Sequence, residues 1–322
     1  MNMCLRPFFL EKTGHTVNCG NCRACRLARR YEWSTRIKHE RESFNYNAAF
    51  VTLTLKDEFL PPRRSLSKRH LQTFFKRLRR NMDKGHIYIS EDVNGKPFFD
   101  SSGKPVMKRL DYPPSKIKYY ACGEYCPTTA RPHYHAIILG LRAVHRLLVY
   151  YTWKMCDYAH YDYQTNITDK SYSYVSGYTS KKLGKYFNRR FYEESGRIPP
   201  FQLQSQGIGR NYCLSNRERL LSSLEIKTEK GSRLIPRYYR RLLDVDPALV
   251  SSYVERLTDN LIFEIAQCYK KTIDWVSTQY FLNTRFISNI RKACDARLES
   301  IENKWRQMKG LNNVRQLNFL YA

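Results

Sequence analysis

Arg131-Pro132-His133-Tyr134-His135-Ala136-Ile137-Ile138-Leu139-Gly140 is the stretch on which the reading of this chain turns. An apolar run of this length bounded by glycine predicts a β-strand. Alternate residues of a strand share a face, so His133 and His135 project together while Tyr134 points the other way, into the sheet core. Glu124 stands nine residues before His133, at the end of a second strand-like run, Ile117-Lys-Tyr-Tyr-Ala-Cys-Gly123. So short a separation predicts antiparallel neighbours, which brings the Glu124 carboxylate to the face of the two histidines. Two imidazoles and a carboxylate suit Mn²⁺ or Mg²⁺ and leave positions open for a phosphate oxygen and water.

Working outward, Ala48-Ala-Phe-Val-Thr-Leu-Thr-Leu55 is β-branched and aromatic and predicts a first strand. After Pro61-Pro62, Ser65-Leu-Ser67 caps a helix reaching Arg80, with Leu71, Phe74, Phe75 and Leu78 as its buried stripe. Its basic residues, Arg77 and Arg80 among them, have no acidic neighbours, a pattern expected near phosphates. Residues 83–116 read as a loop or hairpin insertion, Leu141–Trp153 as a helix, Tyr161–Ile167 as a strand and Asp169–Phe187 as a helix. Strand, helix, strand, strand, helix, strand predicts an α+β sandwich on one antiparallel sheet flanked by helices. The expected division is a Cys-rich segment and basic helix over 1–45, a catalytic domain over 46–190, a basic connecting region over 191–243 and a helical C-terminal region over 244–322. In the last, Ile287, Ile290, Cys294, Leu298, Ile301, Trp305 and Met308 recur at helical spacing.

Among 322 residues, 56 Lys and Arg face 29 acidic residues, a net charge of +27. Such a balance points to a polyanionic partner, above all nucleic acid. No apolar run approaches the roughly 20 residues of a membrane span, and the start does not read as a secretory signal, so a soluble intracellular protein with no membrane partner is expected. Cysteines would then stay reduced. Cys19, Cys22 and Cys25 stand three apart, and with Cys4 they form a candidate thiolate set for a structural Zn²⁺; alternatively, Cys25 merely opens the basic helix that follows.

Tyrosine is a weak nucleophile because its phenol pKa is about 10, and a nearby cation that favours the phenolate activates it. Tyr174 and Tyr178, four apart on a predicted helix, share a face that also carries Lys181. Lys182 and Lys185 extend a basic ridge beside them. With 25 tyrosines in the chain, this pair alone is weak; beside a metal site it suggests attack on a phosphodiester.

Phe50-Val-Thr-Leu-Thr-Leu55, Cys122-Gly-Glu-Tyr…Arg131-Pro-His-Tyr-His-Ala136 and Tyr174-Val-Ser-Gly-Tyr178-Thr-Ser-Lys-Lys182 together resemble the three ordered motifs of rolling-circle initiators in the HUH endonuclease superfamily. Over residues 1–243 the chain is similar to the replication initiators of gokushovirus-type microviruses, with Cys19-Gly-Asn-Cys22…Cys25-Arg26 and Ile235-Pro-Arg-Tyr-Tyr-Arg240 adding to the likeness. The resemblance implies a five-stranded, RRM-like sheet and site-specific nicking and joining of single-stranded origin DNA. Tyr178, slightly ahead of Tyr174, would form a 5′-phosphotyrosine link, with metal at Glu124, His133 and His135 and with Arg131 among the DNA-binding residues. Host helicase and polymerase are implied partners and the host bacterial cytoplasm the implied location. Three other readings compete: a non-catalytic single-strand-binding protein, a zinc hydrolase using activated water, and a relaxase or transposase of the same superfamily. The absence of a Gly-x4-Gly-Lys-Ser/Thr helicase loop favours the initiator.

Overall fold

The computed structural model describes residues 8–11, 15–83, 87–109, 116–126, 128–156, 160–181, 192, 194–228, 231–269 and 272–276. Two compact units emerge. One centres on Cys19–Val245; the other comprises an N-terminal segment with a Phe8–Leu10/His15–Val17 hairpin and a C-terminal segment with the helix Pro247–Tyr269. The amphipathic pattern read over 287–308 lies outside the described residues.

The larger unit is built on strands β1 (Ala48–Leu53), β2 (Lys118–Tyr125), β3 (Pro132–Leu139), β4 (Asp162–Gln164) and β5 (Phe201–Gln204). They form one sheet in the order β4-β1-β3-β2-β5, every neighbouring pair antiparallel. Helix α2 (Lys68–Asp83) links β1 to β2, and α3 (Arg146–Trp153) links β3 to β4. This is the split βαβ arrangement, the wiring shared with RNA-recognition motifs, extended by one edge strand. The fifth strand comes from beyond residue 191, where the sequence pattern loosens. The insertion between α2 and β2 is a hairpin, Ile87–Ile89 against Met107–Arg109, with further bridges at Glu91–Pro97 and Phe99–Pro105.

Period-two alternation divides the sheet into two faces. Ala49, Val51 and Leu53 of β1, with Tyr134, Ala136 and Ile138 of β3, pack under α2 and α3. The α2 stripe read from the sequence is buried as expected: Leu71, Phe74, Phe75, Leu78 and Met82 are at most 2% exposed. Each such side chain contributes roughly 1.5–3 kcal/mol of burial. On the other face, Ala48, Phe50, Tyr120, Cys122, Ile137 and Leu139 pack against α1 (Arg23–Glu42) and α4 (Asp169–Lys181) through Ile37, Tyr172 and Val175. Gly123 marks a close approach: a Cβ there would come within 3.0 Å of Leu66 and 3.1 Å of the Phe201 ring. Only glycine lets β5 and the loop before α2 close on this part of the sheet.

Helix α1 is tied to the rest by polar contacts. Arg36 donates to the Ile208 carbonyl at 3.0 Å, and the buried Glu40 accepts Lys118 Nζ at 2.6 Å and the Gly209 N–H. Lys38 meets Asp169 at 2.9 Å, and Arg41 reaches the Ile167 carbonyl and the Tyr172 hydroxyl. Two helices that cover one sheet face are thereby locked to each other.

Candidate metal centre and tyrosine helix

The β2–β3 register sets Glu124 directly opposite His133 and Cys122 opposite His135. Glu124 Oε1 lies 2.8 Å from His133 Nε2 and 3.3 Å from His135 Nε2, and the three ligand atoms converge within 4.8 Å. Each imidazole is oriented from behind. His133 donates through Nδ1 to the Arg131 carbonyl at 3.3 Å, and His135 Nδ1 sits 3.1 Å from Thr52 Oγ1, the residue facing it across β1–β3. Protonation at Nδ1 leaves both Nε2 lone pairs aimed at the space shared with the carboxylate. That arrangement is what a divalent ion held by two imidazoles requires. The donor set therefore fits a metal.

Burial opposes charge on Glu124, yet hydrogen bonds from His133 and His135 and their positive charge outweigh it and bring the carboxyl to about 2. Burial pulls His135 down, partly countered by Glu124. Tyr134 faces away as expected, wholly buried, its hydroxyl accepting the Ser67 N–H at 3.0 Å.

Helix α4 lies across this face. The Tyr174 ring stands edge-on to the His135 ring at 5.8 Å and 5.9 Å from Phe50. Its phenol is pushed up to about 12, first by burial and then by the negative charges of Glu124, Cys122 and Asp162. A cation placed at the Glu124 group would act in the opposite direction. Tyr178 and Lys181 occupy the same helix one and two turns further on; their side chains, and all of Lys182, Lys185 and Cys4, lie outside the described residues. Arg131 pairs with Asp57 and donates to the Leu55 carbonyl. Arg77 and Arg80 are exposed on α2, the helix covering the opposite face of the sheet.

Two residues escaped the sequence reading. Thr52 is one, visible only as a polar residue at alternating register in an apolar strand. Asp162 is the other: it faces Thr52 across β1–β4, and its charge bears on both His135 and Tyr174. The N-terminal cysteines also converge. Cys25 Sγ lies 4.0 Å from Cys19 Sγ and 3.5 Å from Cys22 Sγ, and the Cys22 N–H points to Cys19 Sγ at 3.3 Å. This is a second group able to hold a metal ion.

Fold and site together define an α+β protein whose split βαβ sheet carries a Glu–His–His ligand group beneath a tyrosine-bearing helix. Residues 91–183, the span holding all six of Glu124, His133, His135, Tyr174, Tyr178 and Lys181, match the family model for replication-associated protein ORF2. Over 249 residues the chain is 28% identical to the replication-associated protein ORF2 of Spiroplasma virus 4, covering 71% of this chain and 68% of that protein. Over 244 residues it is 27% identical to the replication-associated protein VP4 of Bdellovibrio phage phiMH2K, with the same coverage. The likeness to phage replication initiators read from the motifs is thus borne out. No solved structure matches the chain.

Proposed function

We propose that the protein initiates rolling-circle replication by nicking and rejoining single-stranded origin DNA. The observation that carries this reading is the convergence of Glu124, His133 and His135 on the sheet face that α4 covers with Tyr174. Glu124, His133 and His135 would hold Mn²⁺ or Mg²⁺, which when bound polarises the scissile phosphate and stabilises charge on its oxygens. Helix α4 aims a phenolic oxygen at phosphorus. A Tyr–O–P bond forms, the P–O3′ bond breaks, and the phenol's proton passes, by way of solvent, to the departing 3′ oxygen. The products are a 5′-phosphotyrosine and a 3′-hydroxyl able to prime synthesis. Tyr178 takes the first attack and Tyr174 the second, with Lys181 steadying the phenolate or the phosphate. Arg131, Lys182 and Lys185 line the strand's path; Arg77 and Arg80 extend the basic surface. Such a protein works in the host bacterial cytoplasm with the host helicase and polymerase.

The cysteine group is assigned to a structural Zn²⁺. A tetrahedral zinc with Zn–S bonds of about 2.3 Å spaces its sulfurs about 3.8 Å apart, and the 4.0 and 3.5 Å separations bracket that value. Cys4 is the proposed fourth ligand.

The test uses single-stranded oligonucleotides tiled across the genome that encodes the chain, labelled at the 3′ end and incubated with protein and Mn²⁺ before denaturation. One tile should transfer its label to the protein, and chelator or the Tyr174→Phe/Tyr178→Phe double variant should abolish transfer. Cleavage that persists in the double variant would instead favour an activated-water hydrolase.

A further inference from the structure

Helix α1 holds a guanidinium that the account above does not use. Arg30 is half-buried, and among the described residues it makes no hydrogen bond and no ion pair. Burial lowers its pKa, with no neighbouring charge contributing. A guanidinium carries five donors and stays charged, so leaving it partly desolvated without an acceptor is costly unless an anion arrives.

Its location says which anion. Arg30 lies against Gly177 of α4: a Cβ on that glycine would stand 3.3 Å from Arg30 Nε and 3.4 Å from Cζ. Gly177 sits between Tyr174 and Tyr178, in the middle of a helix where alanine would be the more stabilising choice. The glycine makes sense as the gap that admits the guanidinium. The two helices run antiparallel, Arg30 beside Gly177 and Lys38 beside Asp169, eight residues or ~12 Å apart along each. On α1, Arg30 shares a face with Trp33 and Ile37, which pack on the sheet through Tyr120 and the α4-side core. It thus stands where that core ends and the tyrosine positions begin.

We infer that Arg30 is a phosphate-binding residue of the nicking site, its guanidinium lodged against Gly177 to hold the phosphate that is attacked by, and then joined to, the tyrosine. This rests on the nicking reading. Arg30 would donate to the non-bridging oxygens of the scissile phosphate and of the resulting phosphotyrosine. It forms no covalent bond.

The test measures single-turnover adduct formation at saturating DNA with the full-length protein. Arg30→Met, which keeps most of the side-chain length and packing, should slow the reaction by ~100-fold or more, and Arg30→Lys should recover part of that loss. Added guanidinium chloride should partly restore an Arg30→Ala variant, a response that a packing role would not give. Gly177→Ala should raise the melting temperature yet slow adduct formation, because the new methyl displaces the guanidinium. A folded Arg30→Met variant reacting at the wild-type rate would overturn the inference. A wild-type protein that forms no adduct with any tile would instead overturn the nicking reading beneath it.

Discussion

Thr52 carries more of the site than its plain chemistry suggests. Its hydroxyl is the partner that fixes His135 Nδ1 at 3.1 Å and so presents Nε2 to Glu124. Removing such a support typically costs 10–100-fold in metal affinity or activity. Thr52→Val, close to isosteric, should therefore weaken Mn²⁺ binding by about that factor in a titration, with the fold unchanged; unaltered affinity would remove Thr52 from the site. A second residue governs acid stability. His39 is sandwiched against the Tyr212 ring at 3.6 Å and the Tyr239 hydroxyl at 3.0 Å. Burial, then the Lys38 and Arg219 charges, bring it from 6.5 to about 3. The unfolded chain takes up a proton below about pH 6.5 that the folded chain refuses until about 3. Stability therefore falls as pH drops through that window, by up to ~1.4 kcal/mol per pH unit. Denaturation of His39→Gln between pH 7 and 5 should show a shallower loss than wild type; identical slopes would assign the acid sensitivity elsewhere.

Among the elements, the sheet strands and α2 were legible because each has a strong period of its own: alternation in Ala48–Leu53 and Pro132–Leu139, a four-residue stripe in α2. The Glu124–His133–His135 group was legible because a short connection forces two strands to pair. β5 was not. Four residues, Phe201-Gln-Leu-Gln204, on a sheet edge after two prolines carry too little pattern to announce a strand. Thr52 and Asp162 were hidden for another reason: their meeting depends on the strand order β4-β1-β3, a topological fact with no signature in spacing. Helix α1 unites what the sequence separates, since it opens at the cysteine group and runs along α4, the tyrosine helix. If the thiolates hold zinc, native mass spectrometry should find one Zn²⁺ per chain, lost in Cys19→Ser or Cys22→Ser. The same variants should melt lower, by about 2–4 °C for each kcal/mol lost in a unit of this size. A metal-free wild-type protein with an unaltered melting point on chelation would contradict the assignment.

Across the whole molecule, a charge of +27 makes the encounter with DNA electrostatic before it is specific. The logarithm of affinity for single-stranded DNA should fall linearly with the logarithm of salt concentration, with a slope of about −0.7 for each phosphate neutralised. Arg77 and Arg80 project from exposed positions on α2, the helix on the sheet face away from the metal-ligand group. Replacing both with alanine should flatten the salt slope by about one to two while leaving adduct chemistry at saturating DNA unchanged. An unchanged slope would place the strand's path on the α1/α4 side alone. No helix among the described residues is long and apolar enough to cross a membrane.

The central claim, that a tyrosine of α4 is the group joined to DNA, is tested most directly by mapping the adduct. Trypsin cuts after Lys170 and Lys181, releasing Ser171–Lys181 with Tyr172, Tyr174 and Tyr178 inside it. After incubation with the reactive oligonucleotide and Mn²⁺, followed by nuclease trimming, fragmentation mass spectrometry should find a residual nucleotide on this peptide, at Tyr178 first and at Tyr174 when Tyr178 is phenylalanine. A nucleotide on another peptide, or cleaved DNA with Ser171–Lys181 unmodified, would contradict it.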